Sequence, residues 1–269
     1  MEKEGDRLNP GFVSGFTDGE GCFYVGISKD SAALTGWCVK ASFKIALNVK
    51  DIQLLKEIKT FFGGVGNIGL SPKSMSYFEI SNLKDIIKYI LPHFCAGNKY
   101  PLLTNKHADY KLWRAIAIIM QKKGHLTTSG LQEIVNIKSS LNKGLSSKLE
   151  EAFPLTKPVI RPNVPKALTQ DSYWIAGFAS GEGCFIIRNQ VSPKSKLGFA
   201  VSLAFQISQH SRDELLLTTI ADYLGCGMYV RSVTRSEGVF SVTKLKDILN
   251  IIIPLFRKYK LLGVKVLDF

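Results

Sequence analysis

The chain lacks a stretch able to cross a bilayer: its longest apolar run, "LWRAIAIIM" at 112–120, is short and interrupted by Arg114. It also lacks any Cys-x-x-Cys pair. Five cysteines (22, 38, 95, 184 and 226) are odd in number, which argues against zinc ligation or a disulfide framework and suits a reducing compartment. The four histidines (93, 107, 125 and 210) are too dispersed for a zinc site or a His-metal nuclease motif. The opening "MEKEGDR" is polar and acidic, so no secretory or organelle presequence is visible. Acids are scarce beside bases, 22 against 35, leaving a net charge of +13. That excess points to a polyanionic partner, nucleic acid above all, although a basic surface also fits heparin or an anionic membrane.

What is present is a duplication. "GFTDGEGCF" at 15–23 returns as "GFASGEGCF" at 177–185, a shift of 162 positions. The shift persists: Phe43 meets Phe205, Asp51 meets Asp213, Phe78 meets Phe240, "LKDI" recurs at 83 and 245, and Pro92 meets Pro254. It then falls to 159, pairing "KYPLLTNKHADY" (99–110) with "KYKLLGVKVLDF" (258–269). The first half continues through further helical sequence, whereas the second stops at Phe269, so its C-terminal helix reads as short or truncated. Between the copies, 151–170 carries prolines at 154, 158, 162 and 165, which block helix and sheet and suggest an extended, semi-rigid tether. The expected organisation is therefore a first half at 8–150, a linker at 151–170 and a second half at 171–269.

Periodicity gives each half the same plan. Residues 10–19 and 172–181 suit buried helices ended by glycine. Phe23, Val25 and Ile27 alternate with polar neighbours, as do Val39, Ala41, Phe43 and Ile45, marking strands with one apolar face. Apolar groups at 54, 55, 58, 61 and 62 mark a helix; two short strands and a final helix come after it. The fold class is α+β, two pseudo-symmetric αββαββα halves, each an antiparallel four-stranded sheet with helices on its apolar face. Small residues on the motif helices (Gly15, Gly177) permit close packing of the pair, which would bring Glu20 and Glu182 together.

Because Ser180 stands where the first copy has Asp18, the acid required twice is the glutamate. Two carboxylates at helix C-termini repel each other and face the negative ends of both macrodipoles, so a cation must compensate. Oxygen ligands favour a hard ion such as Mg²⁺, with the carbonyls of Gly19 and Gly181 as further ligands. Carboxylate-held metal beside a basic surface suits phosphodiester hydrolysis. A different nuclease pattern, Asp51 followed by "EIK" at 57–59, fails because it lies on an amphipathic helix whose partner reads "TIA" at 219–221.

"VSGFTDGEG" and "IAGFASGEG" resemble the nine-residue motif of single-chain, two-repeat LAGLIDADG homing endonucleases, and the likeness covers nearly the whole chain. The resemblance implies a monomer with an internal pseudo-dimer. Its sheets would form a DNA-binding saddle that cuts both strands of a long double-stranded target across the minor groove. Mg²⁺ would be the cofactor, with Mn²⁺ or Ca²⁺ substituting for binding, and the mitochondrion the compartment. It nominates Glu20 and Glu182 as catalytic metal ligands, Lys106 ("LLTNK") and Lys265 ("LLGVK") as catalytic lysines near the scissile phosphates, and Gln209 ("FQISQ") as a water-positioning residue opposite Leu47. Related folds also serve as intron RNA maturases or non-cleaving binders. Base readout is expected from Tyr24, Ser28, Lys40, Ser42, Lys44 and Tyr77 in one half. In the other it is expected from Arg188, Gln190, Ser202, Gln206, Tyr229, Arg231, Arg235 and Ser241. Lys29, Lys73 and Lys194, read as loop residues, are expected on phosphates.

Overall fold

The structure, a computed structural model, describes residues 7–95, 97, 99–164 and 171–269. It divides into two compact units, one built on Gly21–Val164 and the other on Leu8–Glu20 with the described chain from 171 to 269. The units do not coincide with the repeats: helix α1 (Pro10–Glu20) opens the first copy but packs in the second unit. Residues 165–170, the end of the Pro-rich tether, lie outside the described residues.

The first unit runs β1 (Gly21–Lys29), β2 (Trp37–Asn48), α2 (Ile52–Phe61), β3 (Asn67–Ser71) and β4 (Met75–Ile80), then a helical run α3 over 83–94. Helices α4 (Lys106–Gln121), α5 (Thr128–Lys138) and α6 (Ser147–Ala152) complete it. Its sheet is antiparallel, ordered β1-β2-β4-β3. Alternation decides the faces: Phe23, Val25, Phe43 and Phe78 are buried, while Cys22, Tyr24 and Lys40 are exposed. Phe23 sits at the centre of the core, its ring 5.2 Å from Trp113, 5.3 Å from Tyr110 and 5.4 Å from Phe43 between centroids. The Trp113 indole N–H donates to the Tyr24 carbonyl at 3.1 Å, fastening α4 over β1.

The second unit repeats the plan with α7 (Ser172–Glu182), β5 (Gly183–Val191), β6 (Phe199–His210), α8 (Glu214–Leu224), β7 (Met228–Arg231), β8 (Glu237–Val242) and α9 over 245–258. Its sheet order is β5-β6-β8-β7. In both repeats the third helix contains a π-helical turn, Ile86–Ile90 and Ile248–Ile252, just before Pro92 and Pro254. Proline supplies no N–H to the ladder, so the helix widens at the same point in each copy.

The tether departs from expectation over its described part. Residues 151 and 152 are the end of α6, and beyond them the chain is held to the first unit. The Lys157 N–H donates to Asn136 Oδ1 at 2.9 Å, the Val159 carbonyl accepts from the Ser140 hydroxyl, and Arg161 pairs with Asp109 at 2.8 Å. The prolines keep this stretch out of helix and sheet, but side chains of α4, α5 and the turn after α5 fasten it down.

Candidate active site

Helices α1 and α7 begin with matched caps: Asn9 Oδ1 accepts the Gly11 N–H at 2.8 Å, and Asp171 Oδ1 accepts that of Tyr173 at 2.9 Å. They meet where each has glycine. A Cβ on Gly15 would lie 2.0 Å from the Trp174 carbonyl oxygen, and one on Gly177 would lie 2.0 Å from that of Phe12, so no side chain fits at either crossing point. The helices run one residue further than expected, making Glu20 and Glu182 their final residues. There each acid lies across its neighbour's glycine: Glu182 Cγ is 3.3 Å from the Cβ position of Gly19, and Glu20 Cγ is 3.2 Å from that of Gly181. Both glutamates are half-buried. The sixth residue of the first motif is a tie. Asp18 is only 3% exposed and accepts the Trp174 indole N–H at 3.1 Å, bonding one motif helix to the other.

The nominated lysines sit on different scaffolds. Lys106 is the first residue of α4, a helix of 16 residues. Behind it, the Arg161 guanidinium donates to the Asn105 carbonyl at 3.2 Å and pairs with Asp109 in the first turn of that helix. Lys265 lies in one 3-10 turn, Gly263–Leu267, with its ammonium 3.8 Å from Asp268. An ion pair that long, with Asp268 largely in water, contributes about 0–1 kcal/mol and yields readily to a competing anion.

A family model for LAGLIDADG endonucleases matches residues 13–117 and again 175–269. The chain belongs to the LAGLIDADG family. Two proteins of Neurospora crassa, "Probable intron-encoded endonuclease 3" and "Probable intron-encoded endonuclease 2", are 37% and 38% identical to it over 98% and 97% of its length. The chain spans only 49% and 58% of those two relatives. Among solved structures, I-SmaMI bound to cleaved DNA is 42% identical with a TM-score of 0.94, covering 97% of this chain and 86% of that one. I-LtrWI bound to target DNA is 38% identical with a TM-score of 0.92, covering 96% and 86%. I-SmaMI has also been solved as two single lysine-to-alanine mutants and as the double mutant.

For this LAGLIDADG chain, strand register sorts the expected readout residues. Tyr24, Ser28, Lys40 and Lys44, with Tyr77 on β4, fall on the sheet face opposite Phe23 and Phe43. The Lys44 ammonium lies 4.1 Å from the Tyr77 ring centroid, a cation–π pair on that open face. Ser42 shares the face but is 4% exposed, opposite Tyr24 in the register, so it presents no free hydroxyl. Glu79 and Asn67 complete a row with Lys44, and the alternation of Glu79 with Phe78 in "SYFEI" marks that face in the sequence.

In the second unit Arg188, Gln190, Ser202, Gln206 and Ser241 share the corresponding face, and the Gln206 amide donates to the Ser241 hydroxyl at 3.0 Å. Tyr229 and Arg231 do not. They pair with Phe240 and Gly238 on the helix-covered side, and Arg231 reaches Glu214 of α8 at 3.8 Å. Met228 and Val230 take the open face of β7 instead, both well exposed. Gln209 likewise shares its side with Phe205 and Ile207, an odd number of residues away from Gln206 in a strand without a bulge. The polar face at that strand end belongs to Gln206 and Ser208. Arg235 lies in the turn before β8, beside Glu237 at 3.9 Å. Lys73 and Lys194 are exposed in turns, but Lys29 is the last residue of β1, its ammonium 5.9 Å from the Trp37 ring.

Among the described residues no group of three or more His, Cys, Asp or Glu side chains converges as a metal cage. The candidate centre is the glutamate pair, whose carboxylate stems occupy the space a side chain on Gly19 or Gly181 would fill. Those glycines keep the acids together, and a hard cation sharing two carboxylates with water, carbonyl or phosphate oxygens fits that donor set.

Proposed function

We propose that the protein is a site-specific, double-strand DNA endonuclease that needs a divalent cation, Mg²⁺ foremost. The observation that carries this reading is the crossing of Glu20 and Glu182 over the paired glycines 19 and 181. Its relatives support it, since I-SmaMI and I-LtrWI are bound to DNA in their structures, one of them in the presence of calcium ions. Glu20 and Glu182 would hold the metal, with the Gly19 and Gly181 carbonyls as candidate ligands. When bound, the cation supplies Lewis acidity at the phosphate and lowers the pKa of a coordinated water.

The chain's own residues do the rest. Lys106 and Lys265 place positive charge beside the phosphate oxygens as negative charge builds there, a transition-state role that affects rate more than affinity. The lysines mutated in I-SmaMI are 159 residues apart, the separation of Lys106 and Lys265 here, which supports pairing them in function. The open sheet faces present Lys40, Lys44, Arg188, Gln190 and Gln206 to base edges, with Gln206 rather than Gln209 as the glutamine on that side. Lys73, Lys194 and Arg235, in turns, suit phosphate. Glu20 directly precedes β1 and Glu182 directly precedes β5, so each acid is followed at once by a strand of its own repeat. Intron-encoded relatives favour an intron-homing role, and a Saccharomyces cerevisiae relative named as a mitochondrial protein favours a mitochondrial site of action.

A randomised duplex pool incubated with the protein in Mg²⁺ and in EDTA tests the reading. Specific double-strand ends that form only with the metal are expected, and Lys106→Met or Lys265→Met should slow single-turnover cutting by about tenfold or more. Binding without cleavage under every metal condition would instead make the chain a nucleic-acid binder.

A further inference from the structure

Ser180 sits in the second motif where the first carries Asp18, two residues before Glu182 on the same helix. The residue is 7% exposed and its hydroxyl makes two bonds, donating to the Ala176 carbonyl at 2.8 Å and accepting the Leu262 N–H at 3.1 Å. The first bond is local to the helix and fixes the hydroxyl rotor. The second leaves the helix and grips the backbone three residues before Lys265.

The turn beyond Leu262 depends on that grip. Gly263 has φ of 72°, in the left-handed region that glycine enters without strain, and the chain then closes a single 3-10 turn holding Lys265. One such turn has little stability of its own, because a short 3-10 segment gains few bonds for the residues it orders. Leu261, beside the anchor, is buried and holds the same point from its side chain. Lys106 instead opens a 16-residue helix whose first turn carries the Asp109–Arg161 pair.

We infer that Ser180 is a positioning residue for Lys265: through the Leu262 N–H it holds the lysine's turn at a constant offset from Glu182. The inference rests on the proposed nuclease function. Ser180 needs to touch neither DNA nor metal for this, and it acts only through the lysine.

The test compares the parent, Ser180→Ala, Ser180→Thr, Lys265→Met and the Ser180→Ala/Lys265→Met double variant in single-turnover cleavage of a supercoiled plasmid bearing the selected target. Nicked and linear products are quantified separately, and affinity is measured in Ca²⁺. Ser180→Ala should slow one of the two strand cuts about tenfold, so that nicked plasmid accumulates, while the other cut and the affinity stay within about threefold. Ser180→Thr, which keeps the hydroxyl, should restore linear product. In the Lys265→Met background Ser180→Ala should add nothing, because two residues acting through one group are non-additive. The nicked-to-linear ratio compares two events within one molecule, so it still reads out if part of a variant is unfolded. Equal slowing of both cuts, full additivity in the double variant, or a Ser180→Thr variant as impaired as Ser180→Ala would overturn the inference. A parent protein that leaves the plasmid intact in Mg²⁺ would bring down the nuclease reading itself, a different result from any of these.

Discussion

The two units share a sheet and differ in what lies on it. In the first, Val25 on β1 is completely buried and Val39 is 6% exposed, because α4 crosses the sheet with Trp113 and Ile116 in the core. Their counterparts 162 residues on, Ile187 and Val201, are 76% and 68% exposed. Phe269 packs on Phe185 at 5.3 Å, as Tyr110 packs on Phe23. An apolar cavity of about 280 Å³ remains between it and Ile187, Leu203, Ile248 and Ile252. Duplicated sequence therefore yields duplicated strands without duplicated burial, and the same side-chain type carries different energy in each copy.

Paired substitutions sharpen this contrast most strongly. Val25→Thr puts a hydroxyl into a site without water and should cost about 1–3 kcal/mol by chemical denaturation. Ile187→Thr, already in solvent, should stay within about 0.5 kcal/mol and improve solubility. Equal costs would mean that the apolar face of the second sheet is covered in solution.

A second contrast concerns readout within the second unit. Gln206 lies on the open face and Arg231 on the helix side, so Gln206→Ala should relax preference at one or two base pairs by about 1–3 kcal/mol in a single-base cleavage profile. Arg231→Ala should leave the profile unchanged. Relaxed specificity from Arg231→Ala would mean that its side chain reaches the DNA from the helix side and would overturn this contrast.

The smallest effect is acid sensitivity confined to the first unit. His93 lies among Phe61, Phe62 and Phe94, and burial lowers its pKa from 6.5 to about 4, whereas Leu255 occupies the matching place in the second unit. The unfolded chain takes up this proton first, so stability rises with pH across the window and is lost as pH falls from 6.5 towards 4. His93→Phe should flatten that part of the melting-temperature profile. An unchanged slope would assign the acid sensitivity to other groups.

Much of the fold and of the candidate site is legible in the sequence because the repeat checks itself. A glycine-rich turn with one acid is ambiguous, but Glu20 and Glu182 at a constant shift mark the motif helices and their acids, and strand alternation around Phe23 and Phe43 sorts most of the first sheet. Legibility fails where alternation loses its contrast. "MYVR" at 228–231 is apolar at two places on one side and amphipathic on the other, so only pairing with Phe240 shows that Tyr229 and Arg231 face the helices. The nomination of Gln209 comes from likeness along the chain, whereas the side of a strand is set by parity, and parity puts Gln209 beside Phe205 and Ile207. Arg161 and Ser180 act through backbone groups distant in sequence, Asn105 and Leu262, and no spacing rule announces such bonds.

The central claim is that the crossed glutamates are a metal-binding catalytic pair and not part of the readout surface. The most direct measurement is single-turnover cleavage and DNA affinity for Glu20→Gln and Glu182→Gln, which keep side-chain size while removing charge. Each variant should nearly abolish cutting of at least one strand while affinity stays within roughly tenfold of the parent. Cutting at the parent rate by both variants, or a loss of rate matched by an equal loss of binding, would contradict it.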